Sequence, residues 1–166
     1  MKKLLIEKLL RITKNKKRLQ EKLGVEIRNR GKEIYINGKP ENEFIAEKVI
    51  EALDFGFPFS KAIAIKTEEF EFQIINIKDH TRKKDLSRIR ARIIGTKGKT
   101  LQTLSNLTEC GFELKDNQVG IVGDPELIKN AQEAITLIIQ GSKQGNVYSY
   151  LEKHQVKPVE DLGLRE

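Results

Sequence analysis

The stretch Arg92-Ile93-Ile94-Gly95-Thr96-Lys97-Gly98-Lys99 closes a basic, apolar-striped segment with a tight Gly-x-x-Gly turn that holds a lysine inside it. Two glycines three apart let the chain reverse without Cβ clashes and bring its N–H groups close to a phosphate, where Lys97 and Lys99 add positive charge. The pattern reads as a seat for a nucleic-acid backbone. Working outward, the apolar spacing predicts a helix over about Asp85 to Ile94. Another is predicted from Lys99 to about Glu109, with Leu101, Leu104 and Leu107 three apart. Arg88 and Arg92 lie four apart and share a face of the first of these helices, while Arg90 lies on another side. With Ile89 and Ile93 toward the core, the arginines flank the buried stripe and are expected to reach phosphates or stack on bases. Arg82, Lys83 and Lys84 form a basic loop that adds non-specific attraction.

The distribution of charge agrees with that reading. The net charge is +7, yet residues 78 to 99 hold nine Lys or Arg against two acidic residues, and residues 1 to 22 also hold nine against two. Each segment is therefore near +7, which leaves the rest of the chain near −7. Segregation of this kind is the electrostatic footprint of a polyanion binder, because a uniformly solvated surface intersperses the signs. No apolar run approaches the roughly 20 residues needed to span a membrane, and Glu7 and Lys8 interrupt the first apolar run too early for a signal-peptide core. A cytosolic location is expected. Cys110 is the single cysteine and the two histidines are far apart, so no metal cluster is expected.

Self-comparison finds a repeat at an offset of 85 residues. Gly38-Lys39-Pro40-Glu41 matches Gly123-Asp124-Pro125-Glu126, then Ala46 matches Ala131, Ile50 matches Ile135 and Gly56 matches Gly141. Short alternating strands precede each match: Gly24-Val25-Glu26-Ile27 and Glu33-Ile34-Tyr35-Ile36 in the first copy, Gly111-Phe112-Glu113-Leu114 and Gln118 to Val122 in the second. A proline-started helix follows in each. Its core positions are expected at Phe44, Ile45, Val49, Ile50 and Leu53, and at Leu127, Ile128, Ala131, Ile135 and Ile138. Leu4-Leu5-Ile6 and Phe70 to Ile77 are the leading strands, and Lys14 to Leu23 is a helix. Each copy thus reads strand, helix, helix, strand, strand, helix.

A βααββα module whose leading helices are joined by Gly-x-x-Gly resembles the KH RNA-binding domain. Two in tandem, with Arg88-Ile89-Arg90-Ala91-Arg92-Ile93-Ile94-Gly95 in the second and the tail Gly145-Asn146-Val147-Tyr148-Ser149-Tyr150-Leu151-Glu152-Lys153, are similar to the archaeal KH proteins of small-subunit ribosome assembly. That is the family of Dim-two, or partner of Nob. The resemblance covers nearly the whole chain to about residue 154. It implies an α+β fold of two tandem type I KH (βααββα) modules, each a three-stranded sheet packed against helices, plus a C-terminal helix. Residues 1–56 are the first module, 57–69 a linker helix, 70–141 the second module and 142–166 a C-terminal helix and tail. The sequence departs from the family where the first module should carry its glycine turn: Thr13-Lys14-Asn15-Lys16-Lys17-Arg18 has no glycine. That module is expected to lack the nucleotide clamp, with Lys14, Lys16 and Lys17 left as secondary electrostatic contacts. A second departure, a slightly longer connection over Leu107 to Gly111, is read as a local loop change.

The resemblance also implies a function: binding of single-stranded small-subunit rRNA near its 3′ end, beside a maturation endonuclease, with an initiation-factor subunit as a further partner. In a KH groove about four nucleotides are held with their backbone at the glycine turn and their bases on an aliphatic platform. Gly95 and Gly98 then allow close approach, while Thr96, Lys97 and Lys99 meet phosphates. Ile94, with Leu114 and Val119, belongs to the platform. A KH-fold protein adaptor with weak RNA contact is the alternative. Catalysis is not expected. Gly98-Lys99-Thr100 resembles the end of a nucleotide-hydrolase phosphate loop, but that loop needs a glycine where Ile93 stands and a strand before it. Recognition by stacking on a sheet, as in RRM domains, is disfavoured by the absence of tryptophan and the presence of only three tyrosines. No cofactor is implied.

Overall fold

A computed structural model describes residues 1–155. The first module runs β1 (Lys2–Leu5), α1 (Leu9–Thr13), α2 (Lys16–Leu23), β2 (Val25–Arg30), β3 (Glu33–Gly38) and α3 (Pro40–Phe55). After α4 (Phe59–Thr67), the second runs β4 (Glu71–Asn76), α5 (Leu86–Ile94), α6 (Lys99–Thr108), β5 (Gly111–Lys115), β6 (Gln118–Gly123) and α7 (Pro125–Ile139), followed by α8 (Gln144–Lys153). Both sheets are antiparallel and place the last strand in the middle, in the orders β1-β3-β2 and β4-β6-β5. Helices cover one face of each sheet, because alternation puts Ile34 and Ile36, or Val119 and Ile121, on a buried side. The fold is α+β, as the sequence predicts. The part of the expected tail beyond Gln155 lies outside the described residues.

The 85-residue offset governs more of the chain than the matching letters suggest. Leu23 and Thr108 end equivalent helices, and Gly24 (φ 66°) and Glu109 (φ 57°) both cap them in the left-handed region. Val25 and Cys110 come next, each against the last residue of the central strand, Gly38 or Gly123. The hairpin turns also correspond, with Gly31 (φ 59°) in one and Asp116 (φ 52°) in the other. This corrects the pairing of Gly24 with Gly111, and the connection into β5 is therefore no longer than its counterpart. Phe44 is likewise not core; it is 58% exposed, while Ala46, Val49, Ile50 and Leu53 are buried.

Upstream the offset breaks in two steps. Leu4 pairs with Ile34 as Ile75 pairs with Val119, so the leading strands stand 71 apart. Arg11 and Arg92, the hydrogen-bonding counterparts described below, stand 81 apart, and the fully buried Leu19 and Leu104 stand 85 apart. Relative to the second module the first therefore lacks ten residues before Arg11 and four between Arg11 and Leu19. Four residues is the length of the glycine turn. The turn is absent altogether, which revises its reading as a turn that has lost its glycines. What remains of the leading helix, the five-residue α1, is held from outside: Asp54 at the end of α3 accepts from the amides of Glu7 (3.1 Å) and Lys8 (2.7 Å).

Each module has its own core, and aromatic rings join them. Phe72 of β4 stands edge-on to Phe55 and Phe57, with centroids 5.7 Å from each. Val122 of the second module packs into the first core. Gly120 permits the approach, since a Cβ there would fall 2.6 Å from Phe55. Lys115 and Glu7 add an ion pair at 2.9 Å across the junction. Helix α4 packs on α3 and reaches β6.

Candidate nucleic-acid interface

The interface is built on α5. Asp85 caps its N-terminus by accepting from the Ser87 amide at 3.2 Å, and Leu86, Ile89 and Ile93 form its buried stripe. At about 100° per residue, Arg90 and Ile94 fall on one flank of that stripe and Arg92 on the other. On the first flank, Arg90 donates to the carbonyl of Asp116 at 3.3 Å and so ties α5 to the β5–β6 turn. Ile94 is 39% exposed, an aliphatic surface beside the turn and not a core residue. Leu114 is half-buried and available to the same surface, whereas Val119 is fully buried and is removed from the expected base platform.

On the other flank, Arg92 is engaged within the protein. Its Nη1 donates to the carbonyl of Ile138 at 2.9 Å and its Nη2 to that of Ser142 at 2.5 Å. These carbonyls lie at and just beyond the C-terminus of α7, where a cation is favoured by the helix dipole, and that of Ile138 also accepts from the Gly141 amide at 3.1 Å. Arg11 does the same in the first module, donating to the carbonyls of Gly56 (3.2 Å) and Phe57 (3.3 Å) at the end of α3. An arginine kept for this purpose in a module without the glycine turn has a structural task. Arg92, expected at the RNA, therefore has both terminal nitrogens committed. Arg88 differs: its side chain is 89% exposed, with only a loose approach of 3.7 Å to Asp85.

The turn itself needs its glycines for unequal reasons. Gly95 has φ 77° and ψ 172°, a region closed to other residues, and a Cβ there would lie 2.2 Å from Thr100 Oγ1 and 2.7 Å from the Thr100 amide nitrogen. Gly98 (φ 75°, ψ 13°) faces open space. Between them Lys97 is held at φ 55°, left-handed without being glycine. Such strain persists where the surroundings enforce it, and it occurs at binding turns. The opening amides of α6 lie beside the turn at the positive end of the helix, a favourable place for an anion, although one of them already donates to the Thr96 carbonyl. Thr96, Lys97 and Lys99 are exposed there. Among the described residues, none of Lys97, Lys99, Arg82, Lys83 and Lys84 forms an ion pair. In the first module Lys14 and Lys17 are exposed and Lys16 half-buried, and Arg18 is laid over the Phe59 ring at 3.8 Å.

A cleft of about 560 Å³ lies on the Arg92 flank, between the turn and α8, lined by Gly95, Thr96, Lys99, Thr100, Gln144 and Tyr148 among others. Gln144 donates to Thr100 Oγ1 at 2.9 Å and to the Arg92 carbonyl at 3.3 Å, and so clamps α8 to both sides of the turn. These contacts were not legible in the sequence. Tyr148 stands out in the sequence only as part of the tail motif, and Gln144 and Thr100 carry no local signal of their own. The structural arginine did leave a trace: Arg11-Ile12 matches Arg92-Ile93 at the shifted offset.

Two KH modules in tandem, the second with an intact glycine turn, define a class of nucleic-acid-binding protein. The family model for the second KH domain of PNO1, described as a eukaryotic-type, type I KH domain, matches residues 71–156. The chain belongs to the PNO1/Dim2 family of KH-domain proteins. It is 32% identical over 111 residues to the pre-rRNA-processing protein pno1 of Aspergillus oryzae, an alignment covering 64% of this chain and 43% of that protein. The aligned part spans half or less of the length of the first curated relatives it matches. Among solved structures, the crystal structure of Dim2p from Pyrococcus horikoshii superposes with a TM-score of 0.84 at 27% identity, over 92% of this chain and 98% of that one. A chain in the crystal structure of an a/eIF2alpha–aDim2p–rRNA complex from the same organism superposes with a TM-score of 0.81 at 28% identity, over 92% of each chain.

Proposed function

We propose that this chain is a non-catalytic assembly factor of the small ribosomal subunit that binds single-stranded rRNA near its 3′ end through the turn Gly95–Gly98. The observation that carries the reading is the asymmetry between the modules. The second keeps the turn, with exposed cations and an exposed aliphatic residue set around it, while the first lacks the turn and keeps the structural arginine, with its exposed Lys14 and Lys17 left without that seat. Phosphates meet Thr96, Lys97, Lys99 and the amides that open α6, and Arg88 and the loop Arg82-Lys83-Lys84 add attraction from the flank. Bases lie against Ile94 and Leu114. The family's pre-rRNA-processing members and the rRNA held by the Pyrococcus complex support this reading.

The test is a titration of a short single-stranded RNA with the wild type and with Thr96→Asp/Lys97→Asp at physiological salt. Two negative charges at the phosphate seat are expected to weaken binding by more than ten-fold, and wild-type affinity should fall steeply with salt, with a slope of about −0.7 per phosphate neutralised. Unchanged affinity of the double variant would remove the turn from the RNA site. Crosslinking to total ribosomal RNA tests the location: enrichment at the small-subunit 3′ end is expected, and scattered reads would sink it.

The loss of 14 residues from the nucleotide-binding side of the first module supports a second role for that half, as a docking surface for protein. A maturation endonuclease and an initiation-factor subunit are the proposed partners, the latter supported by a/eIF2alpha in the Pyrococcus complex. The aspartate double variant should then lose RNA while retaining both proteins.

A further inference from the structure

We propose that the cleft between the glycine turn and α8 is a second RNA subsite. It takes the one nucleotide that continues the strand beyond the four held in the KH groove, with its base against Tyr148 and its phosphate at Thr96 and Lys99. This rests on the turn being the RNA seat. The groove side of α5 carries Arg90 and Ile94, whereas the cleft opens on the opposite flank, so the turn stands between two surfaces that a single strand can reach in succession. At about 560 Å³ the cleft falls within the roughly 300–1,000 Å³ typical of small-ligand sites. Its walls have the composition that single-strand sites use, a cation beside an aromatic ring. Lys99 is exposed at the mouth, and half-buried Tyr148 packs on the second core while still lining the cleft.

Gln144 makes the site selective. The Arg92 carbonyl can only accept a hydrogen bond, so the amide must turn Nε2 toward it and toward Thr100. Its Oε1 is left without a protein partner among the described residues. No buried side-chain polar atom there lacks one, so Oε1 is open to solvent. A solvent-open acceptor held in place by two hydrogen bonds favours a base bearing an exocyclic amine (adenine, cytosine or guanine) over uracil, whose one base-edge donor is the ring N3–H.

The test compares a tetranucleotide that fills the groove with the same RNA extended by one adenosine, by one uridine or by one abasic nucleotide, at each end in turn. With the wild type, the adenosine extension at one end is expected to tighten binding about ten-fold, the uridine extension less, and the abasic extension hardly at all. Tyr148→Ala should abolish the gain and leave tetranucleotide affinity unchanged, and Tyr148→Phe should retain it. Equal gain from the abasic and adenosine extensions, or a gain that survives Tyr148→Ala, would overturn the subsite. The abasic comparison uses only wild-type protein, so it decides the matter even if α8 does not tolerate the alanine. Failure of the wild type to bind the tetranucleotide at all would instead sink the groove reading. Binding of the tetranucleotide with no gain at either end would refute the subsite alone.

Discussion

Alanine at Gly95 and alanine at Gly98 remove the same hydrogen atom from the same motif, yet the structure separates their consequences. At Gly98 the new Cβ meets nothing within 4 Å, so the cost is that of a left-handed residue alone, about 1–2 kcal/mol. At about 2–4 °C per kcal/mol for a chain of this size, that is a fall in Tm of about 2–8 °C. At Gly95 the backbone lies at φ 77° and ψ 172°, where strain alone costs about 1–3 kcal/mol. The methyl would also overlap the Thr100 hydroxyl, its Cβ and its amide nitrogen at 2.2, 2.7 and 2.7 Å. Rotating Thr100 cannot relieve contacts to its own backbone and Cβ, so the turn must move. The Thr100–Gln144 hydrogen bond then breaks with it. Gly95→Ala should lower Tm by on the order of 10 °C, or three or more kcal/mol, by thermal or urea denaturation. It should also cost more than ten-fold in RNA affinity by fluorescence anisotropy, well beyond the effect of Gly98→Ala. Thr100→Ala in the same chain should rescue little, because the Cβ and nitrogen overlaps remain. Equal stability of the two glycine variants would refute the claim that Gly95 is seated on Thr100.

Arginine variants should divide by role: Arg92→Ala and Arg11→Ala each lose about 2 kcal/mol in urea denaturation, from two charge-assisted hydrogen bonds to helix-terminal carbonyls. Arg88→Ala should leave stability within about 0.5 kcal/mol and reduce the salt slope of RNA binding; the reverse pattern would undo the structural assignment of Arg92. Gly120→Ala should cost about 1–3 kcal/mol by overpacking Phe55 and Phe57 at the module junction, and a melting curve unchanged from wild type would contradict that packing. Burial pushes the Cys110 thiol up to about 11 from its ordinary 9. The folded state therefore keeps a proton that the unfolded chain releases, so this contribution is whole below pH 9 and is lost as pH rises toward 11. Replacement by alanine should flatten that part of the pH–stability curve, and in the native protein the thiol should resist alkylation at pH 8 until denaturant is added.

The repeat made the fold legible because the residues that carry it are local. Glycine caps, prolines at helix starts and period-two strands act within a few residues of themselves, so a match of Gly38 with Gly123 places strand, turn and helix together. The same locality explains the errors. Gly24 and Gly111 look alike as letters, but a helix cap is defined by backbone conformation, and Glu109 adopts it with φ 57° while Gly111 sits inside β5. Phe44 and Val119 follow the apolar period and still fall on the wrong side, since exposure depends on what the neighbouring layer covers. Spacing put Arg88 and Arg92 on one helical face and could not reveal that α7 ends against one of them. The hydrogen bonds of Arg11 and Arg92 supply the register that letters lacked, and through it the first module is seen to have lost the turn itself. A turn deleted outright cannot be restored by point changes. Inserting Gly-Thr-Lys-Gly after Thr13 would therefore rebuild the turn without the ten-residue segment that precedes Arg92 in the second module. Such an insertion should yield a folded chain with little or no new RNA affinity, because the short α1 offers no second bank for the groove. A clear gain of a second RNA site would mean that the four residues alone make the clamp.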